Sequence, residues 1–502
     1  MSRFVALLMV AQAVGVSQVP AGVAAARSWT AGHQKEVLGE FSRMLAIPNV
    51  ASDAAAMRRN ASFLTEAFAR RGVSLRMLEV PGAPPALFGE KRTPGAAATI
   101  VLYAHYDGQP VVPAKWTNGE PFQPQIRDAR GTVIGFDWSG LFDPEWRLYA
   151  RSASDDKGPI QAMLAALDAL EAARVPLTAN VKFFFDGEEE AGSPHLPAIL
   201  AKYGSLLSSD TWIFCDGPVH QSRRPQIVFG ARGNTGLELT VYGPNRELHS
   251  GHYGNWALNP ALMLAQLLAS MKDEDGRVRI EGFYDDVEPL SAAEKEALAA
   301  LPDMEAELKR EFGLGGTENP GKRLEELITL PALNVQGLSS GGTGAEARNV
   351  VPSTAVANLG VRLVKGMDPG KTREQIIAHI RRQGYLVVES EPDAETRLRH
   401  PRICGVRRRA ASDGQRAVRV AMDSAIARRV IAAVESAHGP ALKLPTLGGT
   451  LPVAAIEDAM RAPVIIVPTV NHDNNQHSHD ENIRLRNLWD AVATMAALMT
   501  ME

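Results

Sequence analysis

Cysteine is nearly absent from this chain. Its 502 residues include two, Cys215 and Cys404, too few for a disulfide framework. Cys215 closes an apolar run, where a buried structural thiol is the expected state. An excess of one charge is also missing: 53 basic against 57 acidic residues give a formal net charge of −4. No basic tail or aromatic-basic stripe interrupts that mixture, so nucleic acid is not an expected partner. Repeats and low-complexity tracts are absent. Beyond the amino terminus no apolar run reaches the length needed to cross a bilayer, so no membrane partner is expected either. The remainder is an ordinary globular composition, 45% hydrophobic, sufficient for two or three domains with real cores.

The amino terminus differs in character from the rest of the chain. Arg3 precedes an apolar run at 4–16, and small residues lead to Ala24-Ala25-Ala26. This is the order of a secretory signal. It predicts a signal over 1–26, a mature chain from about Arg27, and export to the periplasm or the medium. An ordered N-terminal helix is the alternative.

Residues 33–47 and 57–71 have helical apolar spacing, ended by Pro48 and Gly72. Residues 98–104 (ATIVLYA), 181–185 (VKFFF), 211–215 (TWIFC) and 464–467 (VIIV) are short apolar runs, as expected of strands covered on both faces. Helix-sized segments between them, such as 157–174, imply crossovers and a largely parallel sheet. From about 233 the pattern changes. Strands 236–242 and 354–364 alternate, and helices are expected at 258–272, 292–312 and 372–382, with a further strand at 385–389. The expected organisation is a catalytic domain over 27–232 and 394–502, interrupted by a smaller α+β insert over 233–393. Basic residues 397–410 read as a connector, 416–438 as a helix and 485–499 as a closing helix.

Acidic and histidine clusters follow most of the apolar runs: HYD at 105–107, SDDKG at 154–158, DGEEEAG at 186–192, CDGP at 215–218 and QHSHDE at 476–481. Strand ends of an open α/β sheet converge on one crevice, and carboxylates with imidazoles are natural ligands of zinc and similar ions. His105 and Asp107 alternate on an extended chain and leave on one face. An Asp close behind a ligand His suits the carboxylate that fixes its tautomer. Taken alone, Ser154-Asp155-Asp156 reads as a set of helix N-terminal residues. Glu188-Glu189-Glu190 is harder to explain without cations, because adjacent carboxylates repel. Asp216 is another strand-end carboxylate. Spacing does not choose among His472, His477 and His479. His249 lies in a Gly-rich stretch without apolar periodicity, available to a substrate. Asn349 and Arg362 are candidate substrate contacts, and Gly448-Gly449-Thr450 offers backbone N–H groups to an anion.

In this order the clusters resemble the carnosinase and cytosolic non-specific dipeptidase branch of the aminoacylase/carboxypeptidase G metallopeptidase superfamily. HYDGQP, PFQP at 121–124, DDKGP, EEEAGS, LHSGHYG and GGTLPV carry the resemblance, which runs from about residue 33 to the end. It implies a zinc-peptidase-like α/β catalytic domain with an inserted lid and dimerisation domain. It implies His105 and Asp216 on one metal ion, Glu190 and His477 on a second, and Asp155 bridging. Asp107 would orient His105, Glu189 would be the general base, and His249 would reach the scissile carbonyl, in dimers from the partner subunit. Asn349, Arg362, Gly449 and Thr450 resemble substrate-holding positions, and a cis peptide is implied beside the bridging Asp. The chain departs from that pattern with DG in place of EG before the glutamate pair, with Glu188 as an extra acid, and with His479 two residues after the implied ligand.

The expected activity is hydrolysis of dipeptides or short peptides by water activated between two divalent ions, zinc or else manganese or cobalt, with Glu189 as base. An Asp at 216 resembles the dipeptidase and aminopeptidase members. The alternative on the same metals is an N-acyl-amino-acid amidohydrolase or carboxypeptidase. A catalytically dead scaffold is disfavoured by the intact ligand set. A homodimer is the expected assembly.

Overall fold

The computed structural model describes residues 19–408 and 414–502, so the apolar run at 4–16 lies outside the described residues. The apolar runs read as doubly covered strands become neighbours in an eight-stranded sheet. Asn180–Asp186, Thr99–His105, Thr211–Phe214 and Val464–Ile466 run parallel at its centre, in that order. Arg76–Leu78 and Ala86–Lys91 extend one edge in antiparallel fashion. Gln226–Val228, antiparallel to Val464–Ile466, and Leu442–Leu444 complete the other edge.

Alternate residues of each central strand enter different cores. Ile100, Leu102, Ala104, Phe183 and Phe185 pack with apolar residues of the helices Ala21–Leu45, Ala54–Ala69, Lys157–Ala172, Ala425–His438 and Leu485–Met499. Val101, Tyr103 and Phe184 face the other way, toward Leu196–Leu207 and Val453–Met460. Continuous apolar sequence is what a strand between two helical layers requires.

The insert is built differently. Its five strands run in the order Ala332–Ser339, Thr354–Leu363, Gly233–Tyr242, Ile403–Arg408, Leu386–Val388. The helices Pro260–Met271 and Pro369–Arg382 supply core residues for one face only. Gly233–Tyr242 and Thr354–Leu363 accordingly alternate buried with half-buried residues, leaving Asn234, Gly236, Gly360 and Arg362 on the open face. A third, four-stranded sheet was not anticipated. It pairs Asn482–Arg484 with Arg147–Tyr149, followed by Gln125–Arg127 and Val133–Ile134.

Several boundaries differ from those expected. The basic stretch read as a connector contains the strand Ile403–Arg408, which pairs with Gly233–Tyr242. The insert's sheet therefore runs past the boundary drawn at 393. Arg407 and Arg408 are exposed there, and such outward charges on a one-sided sheet obscured the strand. The helix expected over 292–312 is two helices, Ala292–Ala299 and Glu305–Phe312, because Pro302 cannot continue a helical hydrogen-bond ladder. Leu298 and Leu301 from this stretch join the catalytic domain's core. The helix expected from 416 begins at Ala425, and Val418–Arg419 pairs instead with Gly230–Ala231.

The helix Ala21–Leu45 kinks at His33, where the backbone leaves helical geometry. Its earlier part holds Val23 and Ala26, both fully buried in the main core, and the Arg27 guanidinium donates to Ala437 O. The signal boundary expected after Ala26 thus falls inside a packed helix. A chain starting at Arg27 loses the burial of Val23, worth about 1.5–3 kcal/mol. It should melt roughly 2 °C or more below a chain starting at Val19. Equal melting temperatures by scanning calorimetry would show that residues 19–26 add nothing to the fold.

Candidate metal centre

The candidate ligands arrive from the carboxyl ends of neighbouring strands. His105 ends Thr99–His105, and its register partner on the next strand is Asp186. The chain then passes Glu188 into the short turn Glu189–Ala191. Asp216 lies two residues beyond Thr211–Phe214, and Gly217 follows with φ 93°, a backbone region open to glycine at little cost. Asp155 precedes the helix Lys157–Ala172, and His477 lies between Val464–Ile466 and Asn482–Arg484. This is the crevice where open α/β sheets bind ligands.

Two ligand groups form there and share one residue. Donor atoms of His105, Asp155 and Asp216 lie within 4.8 Å of one another, as do those of Asp155, Glu190 and His477. Asp155 Oδ1 is 2.9 Å from His105 Nε2, and its Oδ2 is 3.2 Å from His477 Nε2. Glu190 Oε2 stands 3.3 Å from the same His477 nitrogen and accepts from Gln109 Nε2 at 2.7 Å. Asp107 reaches both sides of the site. Its Oδ1 lies 3.3 Å from His105 Nδ1, and its two oxygens accept the backbone N–H groups of Glu189 and Glu190 at 3.1 and 3.0 Å. The Glu189 carboxylate itself makes no hydrogen bond or ion pair among the described residues.

The capping reading of Ser154-Asp155-Asp156 does not hold. Asp156 occupies the N-cap position without a side-chain cap bond. It accepts instead from His105 N at 3.2 Å, and its Oδ1 is buried without a partner. The Asp155–Asp156 peptide is cis, as the resemblance implied.

Electrostatics mark the crevice as short of positive charge. Burial and the Asp155 charge push Asp216 up to about 6 and Glu190 up to about 7. Burial raises Glu189 well above the carboxylate range, with Asp216, Asp155 and Glu190 adding to it against His105. His477, hydrogen-bonded to Asp155, rises to about 9. Burial opposes ionisation of Asp155, but its bonds to His105 and His477 hold it below the usual range. Imidazoles and carboxylates converging in this way fit divalent ions, which would replace the protons these groups otherwise retain.

The remaining candidates gather in two other places. His249 is exposed, accepts from Gly251 N at 3.1 Å and lies 4.5 Å, ring centre to ring centre, from the His252 ring at a tilt of 35°. Its strand Leu248–His249 pairs with Val350–Val351, which brings the exposed Asn349 beside it. Arg362 Nη1 donates to Thr450 Oγ1 at 2.6 Å, next to the exposed Gly449. His479 is exposed and His472 half-buried, and neither enters a ligand group. Sequence reasoning passed over Arg232. Its Nε donates to Gly448 O at 3.1 Å, and burial together with the Arg362 charge lowers it to about 10. Arg232 and Arg362 line a cavity of about 560 Å3 over the open face of the insert's sheet, with Asn334 and Gln336. Gln109, Arg151 and Glu481 were also missed, although HYDGQP and QHSHDE contained two of them.

The profile of peptidase family M20/M25/M40 matches residues 101–501. The chain belongs to this family. It is similar to the Cys-Gly metallodipeptidase of Saccharomyces cerevisiae, with 24% identity over 485 residues covering 91% of this chain and 94% of that protein. It is similar to the Beta-Ala-His dipeptidase of Homo sapiens, with 26% identity over 82% of this chain and 76% of that one. Among solved structures it resembles an M20 family metallo-carboxypeptidase from Sulfolobus solfataricus, with TM-score 0.75 and 27% identity, covering 93% of this chain and 99% of that chain. The chain is therefore a hydrolytic peptidase of a metal-dependent family, with an α/β catalytic domain and an inserted domain. Among the described residues no helix is long and apolar enough to cross a membrane.

Because Asp155 serves both ligand groups, Asp155→Asn should retain neither of two bound ions after dialysis, whereas Asp216→Asn should retain one. Plasma mass spectrometry of metal content reads this directly. Equal losses in the two variants would refute the shared arrangement.

Proposed function

We propose that the protein hydrolyses unblocked dipeptides or short peptides with two divalent ions, zinc first among them and manganese or cobalt as alternatives. One observation carries this reading: Asp155 lies between two ligand groups, beside a Glu189 carboxylate that has no partner among the described residues. His105 and Asp216 would hold one ion, Glu190 and His477 the other, and Asp155 both. When bound, such ions supply Lewis acidity, polarising the scissile carbonyl and lowering the pKa of water.

The chain's own groups do the rest. Asp107 holds the backbone of Glu189 while it orients His105. The Glu189 carboxylate, without a hydrogen-bond or ion-pair partner among the described residues, takes a proton from the attacking water and returns it to the leaving amine. His249 donates to the oxyanion. It sits on an exposed edge with Tyr253 and Trp256, which are 41% and 79% exposed. That apolar surface supports a homodimer in which His249 serves the partner's crevice, with the insert closing as a lid. Arg362, Thr450, Gly449 and Asn349 hold the substrate. Arg232 joins Arg362 at its carboxylate, since neither guanidinium has an acidic partner among the described residues.

The relatives' names, Cys-Gly and Beta-Ala-His dipeptidase, support a substrate with a free amine. The likeness to a metallo-carboxypeptidase favours one other reading, cleavage of blocked or acylated amino acids on the same metals. Hydrolysis of an unblocked dipeptide but not of its N-acetyl form supports the first reading, and the reverse supports the second. The N-terminal signal pattern supports export, with processing ahead of Ala21 because Val23 and Ala26 are core residues. N-terminal sequencing of protein recovered outside the cytoplasm tests this.

Glu189→Gln should keep both ions and lose about 10²–10⁴-fold in kcat. Wild-type turnover in that variant would remove Glu189 from the mechanism. Arg362→Ala should raise KM for a dipeptide roughly 10–100-fold, the loss of a charged hydrogen bond, and leave KM for the dipeptide amide nearly unchanged. An equal rise for both substrates would place Arg362 away from the carboxylate.

A further inference from the structure

Glu481, the last residue of the QHSHDE cluster, is fully buried and is not itself a candidate ligand. Its carboxylate is saturated by the loop that carries Asp155. Oε2 accepts from Arg151 Nη1 at 2.7 Å and from Ser152 N at 2.9 Å. Oε1 accepts from Ser154 N and Ser154 Oγ at 3.0 Å each, and from Asp155 N at 2.9 Å. An ionised carboxylate offers about four lone-pair sites, so little capacity is left. Arg151, also buried, turns its other branch back: Nη2 donates to Ser478 O at 3.0 Å, beside His477. The backbone completes the join, with Ala150 N donating to Glu481 O at 3.1 Å and Asn482 registered on Tyr149.

We propose that Arg151 and Glu481 form a positioning clasp that sets the separation of Asp155 from His477, and so governs the affinity of the Asp155–Glu190–His477 group for its ion more than that of the His105–Asp155–Asp216 group. The asymmetry arises from the other ties of each group. His105 is fixed to the Asp155 loop independently, because His105 N donates to Asp156 Oδ2 at 3.2 Å. Among the described residues His477 has no such backbone tie, and its neighbour Gln476 reaches Asp155 Oδ2 only through a side-chain bond of 3.4 Å. It has φ 60°, on a segment where Asn475 and Asp480 are also left-handed, with φ 56° and 57°. Backbone of that kind persists where its surroundings hold it. Asp480 anchors the segment to Thr117 and Asn118, and the clasp, with the Ala150–Glu481 backbone bond and the longer Gln476–Asp155 contact, joins it to the loop of the bridging carboxylate. Arg151 suits the task because a guanidinium can bond two acceptors in fixed geometry, which an ammonium cannot.

The inference rests on the two-ion reading, and the test separates the two. Full-length wild type, Glu481→Gln and Arg151→Lys are stripped of metal and titrated with zinc against a chromophoric chelator, and the melting temperature of each stripped protein is recorded. Wild type should bind two zinc ions. Both variants should bind one ion within about threefold of wild-type affinity and the other about 10–100-fold more weakly, the usual scale for losing a group that orients a ligand. The smaller effect belongs to Arg151→Lys, which keeps the charge, and excess zinc should restore its kcat. Equal weakening of both ions, or unchanged affinities, overturns the clasp. Fewer than two ions on the wild type overturns the two-ion reading instead. If Glu481→Gln does not fold, Arg151→Lys decides the outcome alone.

Discussion

Asp107, Asp155, Glu189, Glu190 and Asp216 occupy one crevice, where His105 pairs with Asp107 and Asp155, and His477 with Asp155 and Glu190. Without further positive charge this arrangement opposes itself: burial first, and then the neighbouring carboxylates, raise Glu189, Glu190 and Asp216. Proteins seldom gather buried carboxylates in this way unless a cation completes them. The surrounding fold is arranged to hold the cluster in place. Three parallel strands deliver their ends to the same level, and aromatic residues stiffen the sheet beneath, with Tyr103 stacked on Phe214 at 3.8 Å.

Each acidic side chain has a backbone-level reason for its position. Asp107 spends both oxygens on the N–H groups of Glu189 and Glu190, so the strand bearing His105 also places the next strand's acids. Glu481 does the same for the loop of Asp155. In each case a carboxylate that binds no ion organises the backbone of one that would. Hydrogen bonds to a charged acceptor are stronger than neutral ones, and burial removes the water that would compete for them. The antiparallel sheet joining Asn482–Arg484 to Arg147–Tyr149 supplies the geometry for the second case.

Much of this was legible in the chain itself, for reasons that also explain the failures. Continuous apolar runs such as VKFFF belong to doubly covered strands and were read correctly, together with the α/β class and the clusters at their ends. The strand Ile403–Arg408 was not, because a strand with one open face can carry arginines outward and imitate a loop. Pro302 was visible, but the apolar spacing on either side concealed the break. Asp155-Asp156 misled through local chemistry: the residues that cap helices are also those that bind cations, and only the fold shows which group they face. His477 and His479 are indistinguishable by spacing, and the left-handed backbone at His477 that brings it against Asp155 leaves no mark in composition.

On the proposed function, the one-sided insert carries recognition while the crevice carries the chemistry. Its sheet buries apolar residues under two helices and turns polar ones outward. Arg362 and Arg232 stand on that open side, Arg232 partly dehydrated, and among the described residues neither has an acidic partner. A guanidinium pair in that setting is held at a cost which an arriving anion relieves. The carboxylate-rich crevice carries the opposite deficit and calls for cations. A dipeptide would meet both requirements on that proposal, with a carboxylate for the arginines and a scissile carbonyl for the metal ligands. On the proposed function, the two deficits select for a short substrate: the distance between the arginines and the metal ligands fixes where the scissile bond can lie, and movement of the insert alters binding and catalysis together.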